Sequence, residues 1–335
     1  MAQLTSPPSA HDGSPTLRGV TVAEPGVVVG QRIAMLSLTI LPLLGVVAAM
    51  WGLWGTALGG VDLALFFGFY AFTTLGITVG FHRLLTHQSF RAPTAVRVLF
   101  AVAGSMAVQG AVIDWVATHR RHHAYSDRQG DPHSPHVDIN GDRFGLLKGL
   151  WYGHMGWLFS SDGTVQKAWA PDLMREKPIA TVSRLFPWLI VATFALPALL
   201  GGLITGSIAG AVSGLLWGGL VRVFVLHHVT WSINSICHVF GTRPFDSHDE
   251  ARNNPVMALL SFGEGWHNGH HAFPASARHG MRWWELDVSW LVIRGLSLVG
   301  LASHVKTPTH RQLERRTRSK ATGPEPELVG SAGQP

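Results

Sequence analysis

The sequence predicts an all-α integral membrane protein: four transmembrane helices beneath a cytosolic helical cap that holds a histidine-rich metal site. Three observations predict it. Apolar residues make up 47% of the chain against 14% charged, a balance that suits a bilayer better than water. Apolar runs of spanning length, carrying at most one charge each, recur in two pairs. Nineteen histidines in 335 residues are far more than packing requires, and eight of them gather in three short boxes.

The net charge of +6 raises the question of nucleic acid, but no basic binding module is present and the cations flank apolar spans, so the positive-inside pattern accounts for them. Cys237 is the only cysteine. That excludes a disulfide within the chain and sets aside thiolate zinc and iron–sulfur sites; Cys237 reads as a small buried apolar residue.

Residues 1–28, rich in Ser, Pro and Gly, read as a disordered cytosolic tail. A single membrane domain follows over 29–305, and 306–335, basic and then Pro- and Gly-rich, reads as a second disordered tail. Residues 33–54 carry no charge, and at about 1.5 Å rise per residue they cover the roughly 30 Å hydrocarbon core. A second span, 61–81, ends at the first box, His82-Arg-Leu-Leu-Thr-His87. On a straight α-helix five residues turn through about 500°, leaving these imidazoles roughly 140° apart, so they are expected to serve two different ions. The plainer reading is an interfacial pair anchoring a helix end.

Residues 95–115 are interrupted by Arg97, Gln109 and Asp114, and a full span there would carry the second box to the opposite side of the bilayer. A helix lying in the interface is therefore expected. The second box, His119-Arg-Arg-His-His123, places His119, His122 and His123 on one helical face, which is ligand geometry; a solvated basic face is the alternative. Residues 124–182 read as part of the cap, with His133, His136 and His154 as hydrogen-bonding or surface groups.

Two further spans, 185–204 and 206–227, are separated by Gly201-Gly202 and Gly206, with Arg222 close enough to a helix end to snorkel. His227 and His228 read as helix-end interfacial residues. Beyond them Asn234 and His238 lie four apart and face one point. The third box, Glu264-Gly-Trp-His267-Asn-Gly-His270-His271, repeats the His-x-x-His-His spacing of the second, which makes coincidence a poor explanation. Residues 288–302 are short for a span and are expected at the interface.

Neither inter-span turn, 55–62 or 200–210, contains Lys or Arg, so the positive-inside rule places both termini and every box in the cytosol. Nine histidines from four segments then meet on one membrane face. That number exceeds what one ion takes and suits two. Imidazole nitrogen fits iron, zinc, copper or nickel. A pair of irons can activate dioxygen against an unactivated C–H bond, whereas zinc has no redox states; a site opening on an apolar tunnel suits a long acyl chain.

The three boxes, in this order and flanked by paired spans, resemble those of the membrane fatty acid desaturases, and most nearly the acyl-CoA Δ9 branch that includes stearoyl-CoA desaturases. Gln109, Trp115, Asp131-Pro132-His133, Gly156-Trp157, Thr230-Trp231, Asn234-Ser235, His238 and Gly263-Glu264 carry the resemblance further, over about residues 35–290. It implies two irons held by His82, His87, His119, His122, His123, His238, His267, His270 and His271, with Asn234 holding one iron through a water. It implies that Gln109, Trp115 and Thr230 line the bend of an acyl tunnel. The reaction it implies removes two hydrogens from a long-chain acyl-CoA, consuming O2 and electrons from NAD(P)H, and leaves a cis double bond. With no His-Pro-Gly-Gly haem signature in the sequence, electrons are expected from a separate ferredoxin, rubredoxin or cytochrome through a reductase, at a bacterial cell membrane.

One departure bears on the carrier. Animal acyl-CoA enzymes have an Arg-Asp pair before the second box and an Asn after the tunnel Gln; here Ala117-Thr118 and Gly110 stand there, leaving acyl carrier protein or a lipid open. Two rival activities share some of these features. A diiron hydroxylase or alkane monooxygenase uses comparable boxes, and a histidine-rich metal transporter would instead place its ligands at mid-membrane along a path.

Overall fold

The computed structural model describes residues 17–22, 25–52 and 58–317. Four helices in it are long and apolar enough to cross a membrane: Met35–Gly52 within α1 (Pro25–Gly52), Gly60–Thr86, Phe186–Thr205 and Ile208–Val239. The second begins as α2 (Gly60–Leu75) and runs on as π-helical turns over Gly76–Thr86. The third stops at Gly206, whose φ of 64° is left-handed, and Ser207 restarts the chain by accepting a hydrogen bond from Gly210 N at 3.0 Å.

The fourth helix does not end where hydropathy suggested. Its polar second half packs against cap elements instead of leaving the protein, so it continues through His227 and His228 to Val239. Those two histidines are therefore inside the helix. His227 is buried and its Nε2 donates to Ala107 O at 3.0 Å; His228 pairs with His154 at 2.9 Å. Arg222, expected to snorkel, is fully buried and donates to the carbonyls of Gly218, Met106 and Thr193. Met106 is the C-cap residue of α3 (Thr94–Ser105), where a carbonyl lacks an intrahelical partner, so the guanidinium fills a vacancy the fold itself creates.

At 12 residues α3 is too short to cross a bilayer, which fits an interfacial helix. The chain turns through Val108 (φ 60°) and Gly110 (φ 109°) into α4 (Val112–Tyr125), the helix of the second box. In the cap, α5 (Leu146–His154) packs on the Arg222–Val239 helix, and the 11-residue Val288–Leu298 helix is capped by the Asp287 side chain on Trp290 N.

Both tails extend less far than expected. Val20–Val22 forms β1, paired antiparallel with β2 (Asp162–Thr164), because a Val-Thr-Val run supplies a strand the cap can extend. Near the other end a Thr309–Gln312 capping box starts a His310–Arg316 helix, and Thr317 bridges to Phe245. The remainder of each expected tail, 1–16 with 23–24 and 318–335, lies outside the described residues.

Candidate metal centre

The first box depends on the π turns. Gly76 and Gly80 bring the π turns against α3 so closely that a Cβ on Gly76 would stand 2.1 Å from Gly104 N, and one on Gly80 2.7 Å from Phe100 Cβ. The widened helix bonds every fifth residue: His87 N donates to His82 O at 3.1 Å and Thr86 Oγ1 to Phe81 O at 2.7 Å. Residues five apart therefore stack, and the His82 and His87 rings stand 4.9 Å apart. This corrects the expectation of separate ions, which assumed a regular α-helix.

α4 then presents His119 and His123 together, their Nε2 atoms 3.1 Å apart, with His122 turned to the neighbouring side. His238, in the last turn of its helix, meets His267 Nε2 to Nε2 at 3.1 Å. The short His267–Ala272 helix completes the set, His270 Nε2 lying 3.0 Å from His82 Nε2 and 2.9 Å from His123 Nε2. Two groups result, the ligand atoms of each lying within 4.8 Å of one another: His82, His87, His119, His123 and His270; and His122, His238, His267 and His271. The second and third boxes each contribute to both, and the His123 and His271 rings, 4.5 Å apart, join them.

The donors fit metal ions. His87 Nε2 and His271 Nε2 are buried with no hydrogen-bond partner, as nitrogens that face a cation would be. Burial, then the neighbouring imidazoles, holds His119, His123, His267 and His270 well below the ordinary imidazole range, and His271 is pushed down to about 4. Neutral at physiological pH, they offer the lone pairs a cation takes.

Four carboxylates orient these rings. Glu264 lies 2.5 Å from His82 Nδ1, Asp131 3.0 Å from His122 Nδ1, Asp127 2.8 Å from His238 Nδ1 and Asp249 2.5 Å from His271 Nδ1. Accepting from Nδ1 fixes the tautomer and leaves Nε2 bare. Each carboxylate is itself held: Glu264 by Arg83 at 2.6 Å, Asp131 by the amides of Asp127 and His133, Asp127 by Glu250 N and Ser134 Oγ, and Asp249 by Ala251 N at 3.2 Å. Burial opposes their ionisation, yet Arg83 and His82 keep Glu264 well below the usual carboxylate range, and His271 does the same for Asp249.

Two histidines differ from the sequence reading. His133 is buried, its ring 4.4 Å from that of His122, and burial followed by that neighbour pushes it down to about 3. His279, which no box spacing marks, is fully buried with Nδ1 3.5 Å from Glu264 and its ring 4.5 Å from that of His270. His136 instead donates to His238 O at 2.9 Å, steadying the backbone of a candidate ligand, and Cys237 is buried as expected.

A cavity of about 390 Å³ opens on the first group, with His119 in its wall. Gln109, Trp115, Thr230 and Asn234 all line it, together with Met35 and Thr39 of α1. Gln109 Nε2 donates to Thr230 Oγ1 at 2.9 Å, and Trp115 stacks on His119 with ring centroids 5.0 Å apart.

Residues 56–297, which include all nine box and companion histidines, match the fatty acid desaturase family. The chain belongs to that family. This desaturase, an oxidoreductase of lipid metabolism, is 43% identical over 278 residues to the hex-5-enoyl-[acyl-carrier protein] acetylenase of Moorena producens (strain JHB), covering 83% of the chain and 87% of that relative. It is 39% identical to the icosanoyl-CoA 5-desaturase of Limnanthes douglasii (73% of the chain, 65% of the relative). It shares the same identity with the sn-1 stearoyl-lipid 9-desaturase of Anabaena variabilis (71% and 81%).

Proposed function

We propose that this desaturase uses two irons and dioxygen to place a cis double bond, at Δ9, in a saturated long-chain acyl thioester, with acyl-CoA as the carrier. The observation that carries the reading is the division of nine imidazoles, six buried and three half-buried, into groups of five and four beside one cavity. When bound, the iron pair supplies the oxidising power toward the C–H bonds. The chain's own residues position and exclude. The two imidazole groups would hold the metals, Asn234 would hold one of them through a water, and the four carboxylates keep Nε2 directed inward. Gln109 and Thr230 brace the cavity wall, and Trp115 packs the acyl bend against His119. Two acyl hydrogens, two electrons and two protons reduce one O2 to two waters. NAD(P)H is the electron source, through a separate ferredoxin, rubredoxin or cytochrome.

The positive-inside bias supports both termini and the centre facing the cytosol of a bacterial cell membrane. A second reading of the carrier rests on Gly110 and Thr118, which line the cavity where animal acyl-CoA enzymes carry coenzyme-binding side chains. The three relatives are named for acyl carrier protein, coenzyme A and lipid substrates, so acyl carrier protein or a glycerolipid is the alternative.

Expression in cells fed defined saturated acids, with gas chromatography and mass spectrometry of the methyl esters, tests the reading. Products lighter by two hydrogens support it, whereas products heavier by one oxygen assign a hydroxylase.

A further inference from the structure

The loop over residues 240–254 brings one exposed imidazole close to the metal centre. Half of the His248 side chain is exposed (51%), and its Nε2 lies 3.9 Å from Asp249 Oδ2, the oxygen that also meets His271 Nδ1 at 2.5 Å. Asp249 and His271 have fully buried side chains. The other three orienting carboxylates meet no exposed imidazole among the described residues: Glu264 is shared with Arg83 and His279, and Asp131 with His133, all buried, while Asp127 meets Ser134 and Glu250 N. A half-exposed imidazole thus lies one carboxylate away from a candidate ligand at this point.

A basic face adjoins it. The His310–Arg316 helix carries three arginines against one Glu314, and Asp246 N donates to Arg316 O at 2.7 Å. Arg316 Nη1 in turn donates to the carbonyl of Ala272, the residue after His271, at 2.7 Å. Between this helix and residues 272–276 lies an open cleft of about 540 Å³ edged by Lys306, Arg315 and Arg316. The basic helix therefore touches the chain on both sides of this contact, at Asp246 and at Ala272, without taking part in it.

We propose that this face is the docking surface for a small acidic one-electron carrier protein, and that electrons enter by His248, Asp249 and His271. The inference rests on the desaturase reading, whose turnover needs two electrons the acyl chain does not supply. Two reduced carriers each lose one electron. Those two electrons, two protons and the two acyl hydrogens reduce O2 to two waters. No residue on the route is itself oxidised or reduced overall.

The test uses the iron-loaded full chain in phosphatidylcholine nanodiscs, with an acidic plant-type [2Fe–2S] ferredoxin as the probe. Ferredoxin association is measured against ionic strength, and product is measured with ferredoxin and, separately, with dithionite as reductant. Wild-type association is expected to weaken as salt rises, and the paired Arg311→Glu, Arg315→Glu variant to bind about tenfold more weakly. His248→Ala is expected to keep its iron while the ratio of ferredoxin-driven to dithionite-driven product falls severalfold. Unaltered association in the charge-reversed variant, or an unaltered product ratio in His248→Ala, overturns the proposal. So does a charge reversal that affects only binding to phosphatidylglycerol vesicles. Wild-type protein that makes no product even with dithionite refutes the desaturase reading instead, and the association arm still judges the surface.

Discussion

Glu264 Oε2 lies 2.5 Å from His82 Nδ1, so a residue of the third box sets the tautomer of a histidine in the first. The boxes are thus coupled through a buried carboxylate as well as through the two histidine groups they share. Orienting carboxylates of this kind typically contribute 10–100-fold in metal affinity. Glu264→Gln and Asp249→Asn are each expected to lower iron retention by about that factor in chelator competition. Asp249→Asn is the cleaner variant, since Glu264 also neutralises buried Arg83. Retention equal to wild type in both would remove the orienting role.

The π turns predict a sharp contrast between two glycines of one helix. A methyl at Gly76 would meet backbone 2.1 Å away, whereas one at Gly68 meets nothing within 4 Å. Gly76→Ala should cost about 1–3 kcal/mol by overpacking and displace His82 and His87. Gly68→Ala should be neutral or slightly stabilising. Thermal unfolding in detergent, with iron content measured on the same samples, reads both effects.

Much of this was legible in the sequence. Box spacing brought His119 and His123 to one face, although His122, expected there too, turns to the second group, and hydropathy located four spans, because both signals follow a regular helix. The first box was misread for the same reason: the π turns arise from contacts of Gly76 and Gly80 with α3, which spacing within one segment does not encode. Burial of Arg222 depends on the carbonyl of Met106, and that of His279 on Glu264, both partners remote in sequence. Asp131 and Glu264 stood out by resemblance, but their role emerged only when the fold set them against Nδ1 atoms.

Acid should destabilise the metal-free protein. His133 titrates at about 3 and His271 and His279 at about 4 in the fold, against about 6.5 when unfolded. Between those values the unfolded chain binds more protons, so stability rises with pH. It should fall as pH drops from about 6.5 toward 4, and bound iron should move the loss to lower pH. Chelated protein that melts at one temperature from pH 7 to pH 4.5 would contradict this.

The Gln109–Thr230 bond offers a separate test of the cavity. Thr230→Val keeps the shape but leaves the Gln109 amide without its partner, at a cost of about 1–3 kcal/mol. Lower product yield and a broadened double-bond position are expected by mass spectrometry of derivatised methyl esters. Unchanged yield and position would take Thr230 out of substrate positioning.

The most direct measurement is the metal content of the purified protein, by inductively coupled plasma mass spectrometry, for wild type, His122→Ala and His270→Ala. The account predicts about two irons per wild-type chain, loss of iron in both variants, and loss of unsaturated product with it. Zinc in place of iron, or full iron in either variant, would contradict it.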